Sequence, residues 1–133
     1  MKRAFRWLPA VIWMAVIFYM SHQSGDDLHT LLPWFQTFFP WMESFNWGHF
    51  ALYFILAATF YWALLPRSAA WSGKALAVAL CVLYGLTDEY HQSFVPGREP
   101  DLLDIRNDGI GAALAMLLLA WPPLERFVRR VSG

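Results

Sequence analysis

Four apolar segments alternate with polar stretches along the chain: Trp7–Met20, Gly48–Leu65, Ala75–Leu86 and Ile110–Trp121. A bilayer hydrocarbon core of ~30 Å takes about 20 helical residues, within a range of roughly 17–25. The first, third and fourth segments fall short of that if they stop at the first polar residue. They reach it only by drawing polar neighbours into the helix, the third by running from Lys74 to about Phe94 and the fourth by starting near Asp104. The pattern therefore predicts an all-α polytopic membrane protein. Four transmembrane helices over about 4–23, 47–65, 74–94 and 104–121 form a single domain across residues 1–133. The same length argument places Asp88, Glu89, Gln92, Asp104 and Asn107 inside helices at membrane depth. Charges are costly there and persist where they are paired, hydrated or used.

Composition agrees. Of 133 residues, 58% are apolar and only 15% charged, where a soluble domain carries roughly 25% charged residues. Net charge is zero, and no basic stripe lies between the chain ends, which excludes a nucleic-acid footprint. The lone cysteine, Cys81, has no intrachain disulfide partner and reads as a small buried hydrophobe. The first segment has a second reading as a secretory signal, with Lys2, Arg3 and Arg6 as its basic region and Leu8–Met20 as its apolar core. The following Ser21-His22-Gln23-Ser24-Gly25 lacks a clear small-x-small cleavage site, so a retained helix is preferred.

Four spans put both termini on one side. Lys2, Arg3, Arg6, Arg67, Lys74, Arg126, Arg129 and Arg130 gather there, eight of the ten basic residues. The positive-inside rule assigns that side to the cytoplasm. Trp7, Trp71 and Trp121 then mark the inner interface, and Trp34, Trp41 and Trp47 the outer one. His22, Gln23, His49, Asp88, Glu89, His91, Gln92, Asp104 and Asn107 all land at the outer ends of spans.

The outer loop from Ser24 to Trp47 is long and aromatic, with Phe35, Phe38, Phe39 and Phe45 beside Pro33 and Pro40. It is expected to lie along the interface as a short amphipathic helix or a re-entrant segment capping the polar site. Pro96, Gly97 and Pro100 predict a tight turn between the third and fourth spans. Two small-residue spacings, Gly109-x-x-x-Ala113 and Gly111-x-x-x-Ala115, suit close helix packing.

Residues three and four apart share a helix face. Asp88 therefore neighbours His91 and Gln92, Glu89 neighbours Gln92, and Asp104 neighbours Asn107 and Asp108. The Asp104/Asn107 face can meet the Glu89/Gln92 face across the short connection. Arg98, in that connection, either pairs with Asp88, Glu89 or Asp104 or holds a phosphate or carboxylate of a ligand. Gln92 and Asn107 have a bland role in interhelical hydrogen bonding. His49 precedes Tyr53 by one turn at the membrane edge, where a packed histidine and a functional one are equally expected. Adjacent Asp88 and Glu89 are hardest to explain blandly, because two desolvated carboxylates repel. They are the candidate acid/base pair. The site-forming set is Gln23, His49, Tyr53, Gln92, Arg98, Asp104 and Asn107. No recognised metal-ligand spacing is present. The donors His49, Asp88, Glu89, His91 and Asp104 would nevertheless accept a hard divalent cation such as Mg²⁺ or Ca²⁺.

At these residues the chain resembles the VanZ-like family of bacterial membrane proteins. The matching pieces are Tyr19-Met20-Ser21-His22-Gln23-Ser24-Gly25, His49-Phe50-x-x-Tyr53, Asp88-Glu89-x-x-Gln92-x-Phe94-Val95-Pro96-Gly97-Arg98, and Asp104-x-x-x-Asp108 with Asn107-x-x-x-Gly111. The family often carries a lysine three residues before the histidine, where this chain has Asn46. The resemblance implies a membrane fold and a link to low-level resistance to the glycopeptide teicoplanin. Three functions follow as expectations. The outward site binds or modifies an envelope, lipid-linked or glycopeptide-related ligand. Or it is a membrane-embedded enzyme using Asp88 and Glu89 on an anionic lipid. Or the cluster only ties helices together. The bilayer is the expected partner, with a lipid headgroup or envelope precursor at the site and oligomerisation allowed.

Overall fold

The computed structural model describes residues 3–38, 40–41 and 46–132. Lys2, Phe39 and Phe45, which entered the reading above, lie outside the described residues, and so does the side chain of Asn46. Every regular element among the described residues is helical. A 3-10 turn at Arg3–Trp7 leads into α1 (Leu8–Ser21), followed by α2 (Gly25–Phe38) and α3 (Asn46–Ala63). A second 3-10 turn at Arg67–Ala69 precedes α4 (Trp71–Gln92), then α5 (Leu102–Leu119) and α6 (Pro122–Ser132). The stretches 47–65, 74–94 and 104–121 are helical over most of their length, as α3, α4 and α5. The continuous helical stretch Arg3–Ser21 is long and apolar enough to cross a membrane by length and composition, and it alone among the described residues meets that test. The helices α3 to α5 carry the polar residues of the site instead.

Local signals explain the boundaries. Asp101 caps α5 by accepting from the Leu103 N–H at 2.8 Å, the usual way to satisfy an orphan donor at a helix start. Ser24 and Asp27 form a reciprocal cap on α2: the Asp27 N–H donates to Ser24 Oγ, and the Ser24 N–H donates to Asp27 Oδ2, each at 3.2 Å. The aromatic stretch after α1 is thus helical from Gly25 to Phe38. α2 turns Leu31, Trp34 and Phe38 outward, the apolar stripe expected of a helix lying at an interface.

α3 sits at the centre and packs against α1, α4 and α5, most extensively against α5. Gly111 makes that closeness possible, since a Cβ there would run into the carbonyl oxygen of Phe50. Ala112 and Ala115 are fully buried on the same side. Of the two small-residue spacings, Gly111/Ala115 therefore forms the interface. A Cβ on Gly109 would meet only Val82 Cγ2, at an ordinary 3.4 Å. Tyr53, Leu56, Ala57, Tyr61, Ala77 and Cys81 fill the core. Cys81 is buried and free, as the sequence suggested.

The burial pattern is inverted relative to a water-soluble bundle. α4 buries Asp88, Glu89 and Gln92 while exposing Leu76, Leu83, Leu86 and Tyr90. α5 buries Asn107 and Asp108 while exposing Ile110, Leu114, Leu117 and Leu118. The helix ends also segregate by charge. At one end, Arg6 donates to the carbonyls of Leu65 and Ser132, each at 2.9 Å. There too Lys74 donates to the Ala69 carbonyl at 2.8 Å and faces Glu125 at 3.8 Å. At the other end, rings of His22 and His91 meet at 3.2 Å, and His91 stacks on Phe18 with centroids 4.3 Å apart. The Gly25 N–H donates to the Pro96 carbonyl beside Gly97, whose φ of +73° suits glycine.

Candidate functional site

The non-basic end of the bundle assembles a polar cluster from α3, α4 and α5. His49 stands on the first turn of α3, where α5 approaches. Its Nδ1 lies 2.8 Å from Asp108 Oδ1, and its Nε2 lies 3.5 Å from Asp104 Oδ2. Asp104 and Asp108 are one turn apart on α5 and present their carboxylates to the two edges of one imidazole. Asp108 is completely buried. One turn into α3, Tyr53 is also fully buried, and its hydroxyl donates to Asp88 Oδ2 at 3.2 Å. Glu89 Oε2 accepts from the Asp101 N–H at 2.8 Å, which ties the end of α4 to the cap of α5. Its other oxygen, Oε1, is buried with no hydrogen-bond partner. One nitrogen of His49 and one carboxylate oxygen from each of Glu89 and Asp104 lie within 4.8 Å of one another.

Two cavities adjoin this cluster. A small one of about 50 Å³ is lined by Ser21, His49, Asp88, Gln92 and Arg98 together with Met20, Gly48 and Leu52. A larger one of about 560 Å³ is walled by apolar side chains that include Phe35, Trp41, Phe54 and Leu114. Met20, Gly48 and Leu52 belong to both walls. The small cavity, which carries the polar residues, and the larger apolar groove thus share part of their walls. Gln92 donates to Ser21 Oγ at 3.4 Å, and its Oε1 has no partner.

The sequence-derived residues separate accordingly. His49, Tyr53, Asp88, Glu89 and Asp104 meet in one cluster, and Gln92 and Arg98 line the polar cavity beside it. Gln23 and Asn107 do not join them through any described contact. Gln23 donates back to the Tyr19 carbonyl of its own helix at 3.1 Å. Asn107 accepts from the neighbouring Arg106 at 3.2 Å. The ridge that α5 turns toward His49 is Asp104/Asp108 rather than Asp104/Asn107. Arg98 makes none of the carboxylate pairs weighed for it: among the described residues its guanidinium has no hydrogen-bond or acidic partner. Asp108 and Ser21 were absent from the candidate set. Asp108 had a legible signal, because it follows Asp104 by four residues and lies deeper in an apolar segment, where an unpaired carboxylate is costly. Ser21 had none beyond its place at a helix end.

Buried acids gathered at one end of a helical bundle that shows apolar residues outward define a class, namely helical proteins with a polar site built into an otherwise apolar frame. Within that class, this chain belongs to the VanZ/LLP1 family, whose pattern matches residues 5–122. A relative, the uncharacterized protein C11E3.10 of Schizosaccharomyces pombe, is 39% identical over 72 residues. That segment is 53% of this chain and 43% of the relative, so the chain spans less than half of the relative's length. No solved structure matches the chain.

Proposed function

We propose that this is a four-span protein of the bacterial cytoplasmic membrane with both termini in the cytoplasm. In this reading its outward-facing site binds the anionic headgroup of a membrane amphiphile. α1, α3, α4 and α5 are the spans, and α2 lies along the outer interface. The inverted burial pattern supports this, since exposed leucines beside buried carboxylates suit lipid and not water. The basic end of the bundle, with Arg6, Arg67, Lys74, Arg126, Arg129 and Arg130, takes the cytoplasmic side.

The observation that carries the ligand assignment is Arg98. Arg98 lines the small cavity without an acidic partner among the described residues, and that cavity shares Met20, Gly48 and Leu52 with an apolar groove. An arginine in that position suits bidentate recognition of phosphate, and the groove suits acyl or prenyl chains. A relative in Schizosaccharomyces pombe favours a phospholipid-type ligand, present in many membranes, over a precursor or glycopeptide peculiar to one kind of envelope. A second reading rests on Glu89 Oε1, which is buried and unpartnered. In that reading Asp88 and Glu89 act as acid and base on the bound lipid.

The test is lipid retention by the purified protein, read by native mass spectrometry. The protein is reconstituted with phosphatidylglycerol or with phosphatidylcholine. The proposal expects preferential retention of phosphatidylglycerol. Arg98→Ala should weaken it by about 10–100-fold, the worth of a charge-assisted hydrogen bond of ~1.5–3 kcal/mol. Equal retention of both lipids, or an unchanged Arg98→Ala, overturns it. Chemical turnover of the retained lipid that stops in Glu89→Gln would establish the second reading.

A further inference from the structure

We propose that His49 Nε2, Glu89 and Asp104 form a binding site for one divalent transition-metal ion of the Zn²⁺ or Mn²⁺ type. The proposal goes beyond the lipid reading and does not depend on it.

The donors come from three different helices and converge, with one ligand atom from each lying within 4.8 Å of the other two. Two ligand atoms each ~2.1 Å from a tetrahedral zinc are separated by about 3.4 Å. The His49 Nε2 to Asp104 Oδ2 spacing of 3.5 Å fits that figure. It is long for a direct hydrogen bond. The remaining separations are no more than 4.8 Å, so small side-chain adjustments would bring the three atoms onto one ion.

The second observation is Glu89. The residue is only 5% exposed, yet Oε1 has no hydrogen-bond partner. Its sister oxygen is anchored by the Asp101 N–H, so the carboxylate is held in place with one oxygen uncommitted. An uncommitted buried carboxylate oxygen calls for a cation or a donor.

The histidine is prepared in a way that bland packing does not require. An ionised carboxylate only accepts hydrogen bonds. With Asp108 ionised, the 2.8 Å contact holds the proton on Nδ1 and leaves Nε2, which faces Asp104 at 3.5 Å, free to coordinate. A metal-binding histidine whose second nitrogen donates to a carboxylate is the arrangement that orients the ring and raises its basicity as a ligand. Asp108 is thus a positioning residue. One imidazole with two carboxylates matches the borderline Zn²⁺ and Mn²⁺ better than Mg²⁺ or Ca²⁺, which favour all-oxygen shells. Charge balance argues the same way. Asp88, Glu89, Asp104 and Asp108 crowd one region, and none of them forms an ion pair with a lysine or arginine among the described residues. A dication there would relieve their repulsion and leave the chamber fit to receive an anionic headgroup.

The test uses the full-length protein in detergent, stripped with EDTA and titrated with ZnCl₂ or MnCl₂ without added lipid. One ion per chain is expected after desalting. Glu89→Gln and Asp104→Asn should each lower affinity at least tenfold, and Asp108→Asn by about 10–100-fold. Glu99→Gln, outside the cluster, should bind as the wild type does. Zinc-edge X-ray absorption of the wild type reads the ligand set directly, with one imidazole and otherwise oxygen expected, even if a variant fails to fold. Absence of stoichiometric binding of either ion, binding unchanged in both ligand variants, or a shell without imidazole overturns the proposal. Metal binding without lipid preference would leave this site standing while the lipid reading falls, and the reverse result would do the opposite.

Discussion

Replacing His49 by leucine isolates one buried electrostatic dependence, that of Asp108. Asp108 has no exposed surface, and its Oδ1 is 2.8 Å from His49. Its other oxygen, Oδ2, is buried without a hydrogen-bond partner. Removing the imidazole therefore leaves a buried carboxylate with no immediate compensation. Breaking such a pair from one side costs about 3–5 kcal/mol. Asp108→Asn in the wild-type background should cost only about 0.5–1.5 kcal/mol, because the amide oxygen can still accept from Nδ1–H. In the His49→Leu background the same change removes the stranded charge and leaves an amide, whose own penalty is about 1–3 kcal/mol. Asp108→Asn should then stabilise by roughly 2 kcal/mol, the difference between those two penalties. The sign of one substitution thus reverses with its background. The assay is a double-mutant cycle from reversible unfolding in detergent with EDTA present, so that no metal contributes. The reasoning is refuted if His49→Leu costs under about 1 kcal/mol, well short of a stranded-charge penalty. Additivity of the two changes within about 0.3–0.5 kcal/mol would refute it as well.

The α3–α5 seam predicts opposite outcomes for two neighbouring glycines. Gly111→Ala should destabilise by about 1–3 kcal/mol, since its Cβ meets the Phe50 carbonyl. Gly109→Ala should stabilise by about 0.5–1 kcal/mol through helix propensity. Melting temperatures of the two proteins check this, and equal shifts would contradict the seam. At the basic end, Arg6→Ala removes both bonds joining the first turn to Leu65 and Ser132. It should cost about 1–3 kcal/mol and increase protease cutting near α6, measured by limited proteolysis, whereas an unchanged cutting pattern would show that α6 is held by other contacts.

The four main helices were legible because apolar run lengths report on them directly, and the polar residues needed to complete those runs marked the site end. α6 was not foreseen. It begins at Pro122-Pro123, is short and carries three arginines, so an argument from apolar length passes over it. It forms because Arg6 and Lys74 supply partners for Ser132 and Glu125 from elsewhere in the chain. The His49–Asp108 pair joins positions 59 apart, and only the register of α3 against α5, fixed by Gly111, brings them together. Spacing within α5 could place Asp104, Asn107 and Asp108 near one face but could not choose which two would meet α3. The partner of Glu89 was hidden for another reason, since it is the backbone N–H of Asp101 rather than a side chain. Arg98, expected either to pair or to hold a ligand, has no acidic partner, which keeps the second of those roles open to it.

The central claim is a polar chamber that opens on the face of the membrane opposite both chain ends. Substituted-cysteine labelling of intact cells tests it most directly, using a Cys81→Ala background to remove the buried native thiol. Glu99→Cys, in the connection between α4 and α5, should react with a membrane-impermeant maleimide from outside. Ser72→Cys, at the start of α4, and Arg130→Cys, in α6, should react only after the cells are opened. Labelling of Ser72→Cys or Arg130→Cys in intact cells, or protection of Glu99→Cys until lysis, would contradict the account.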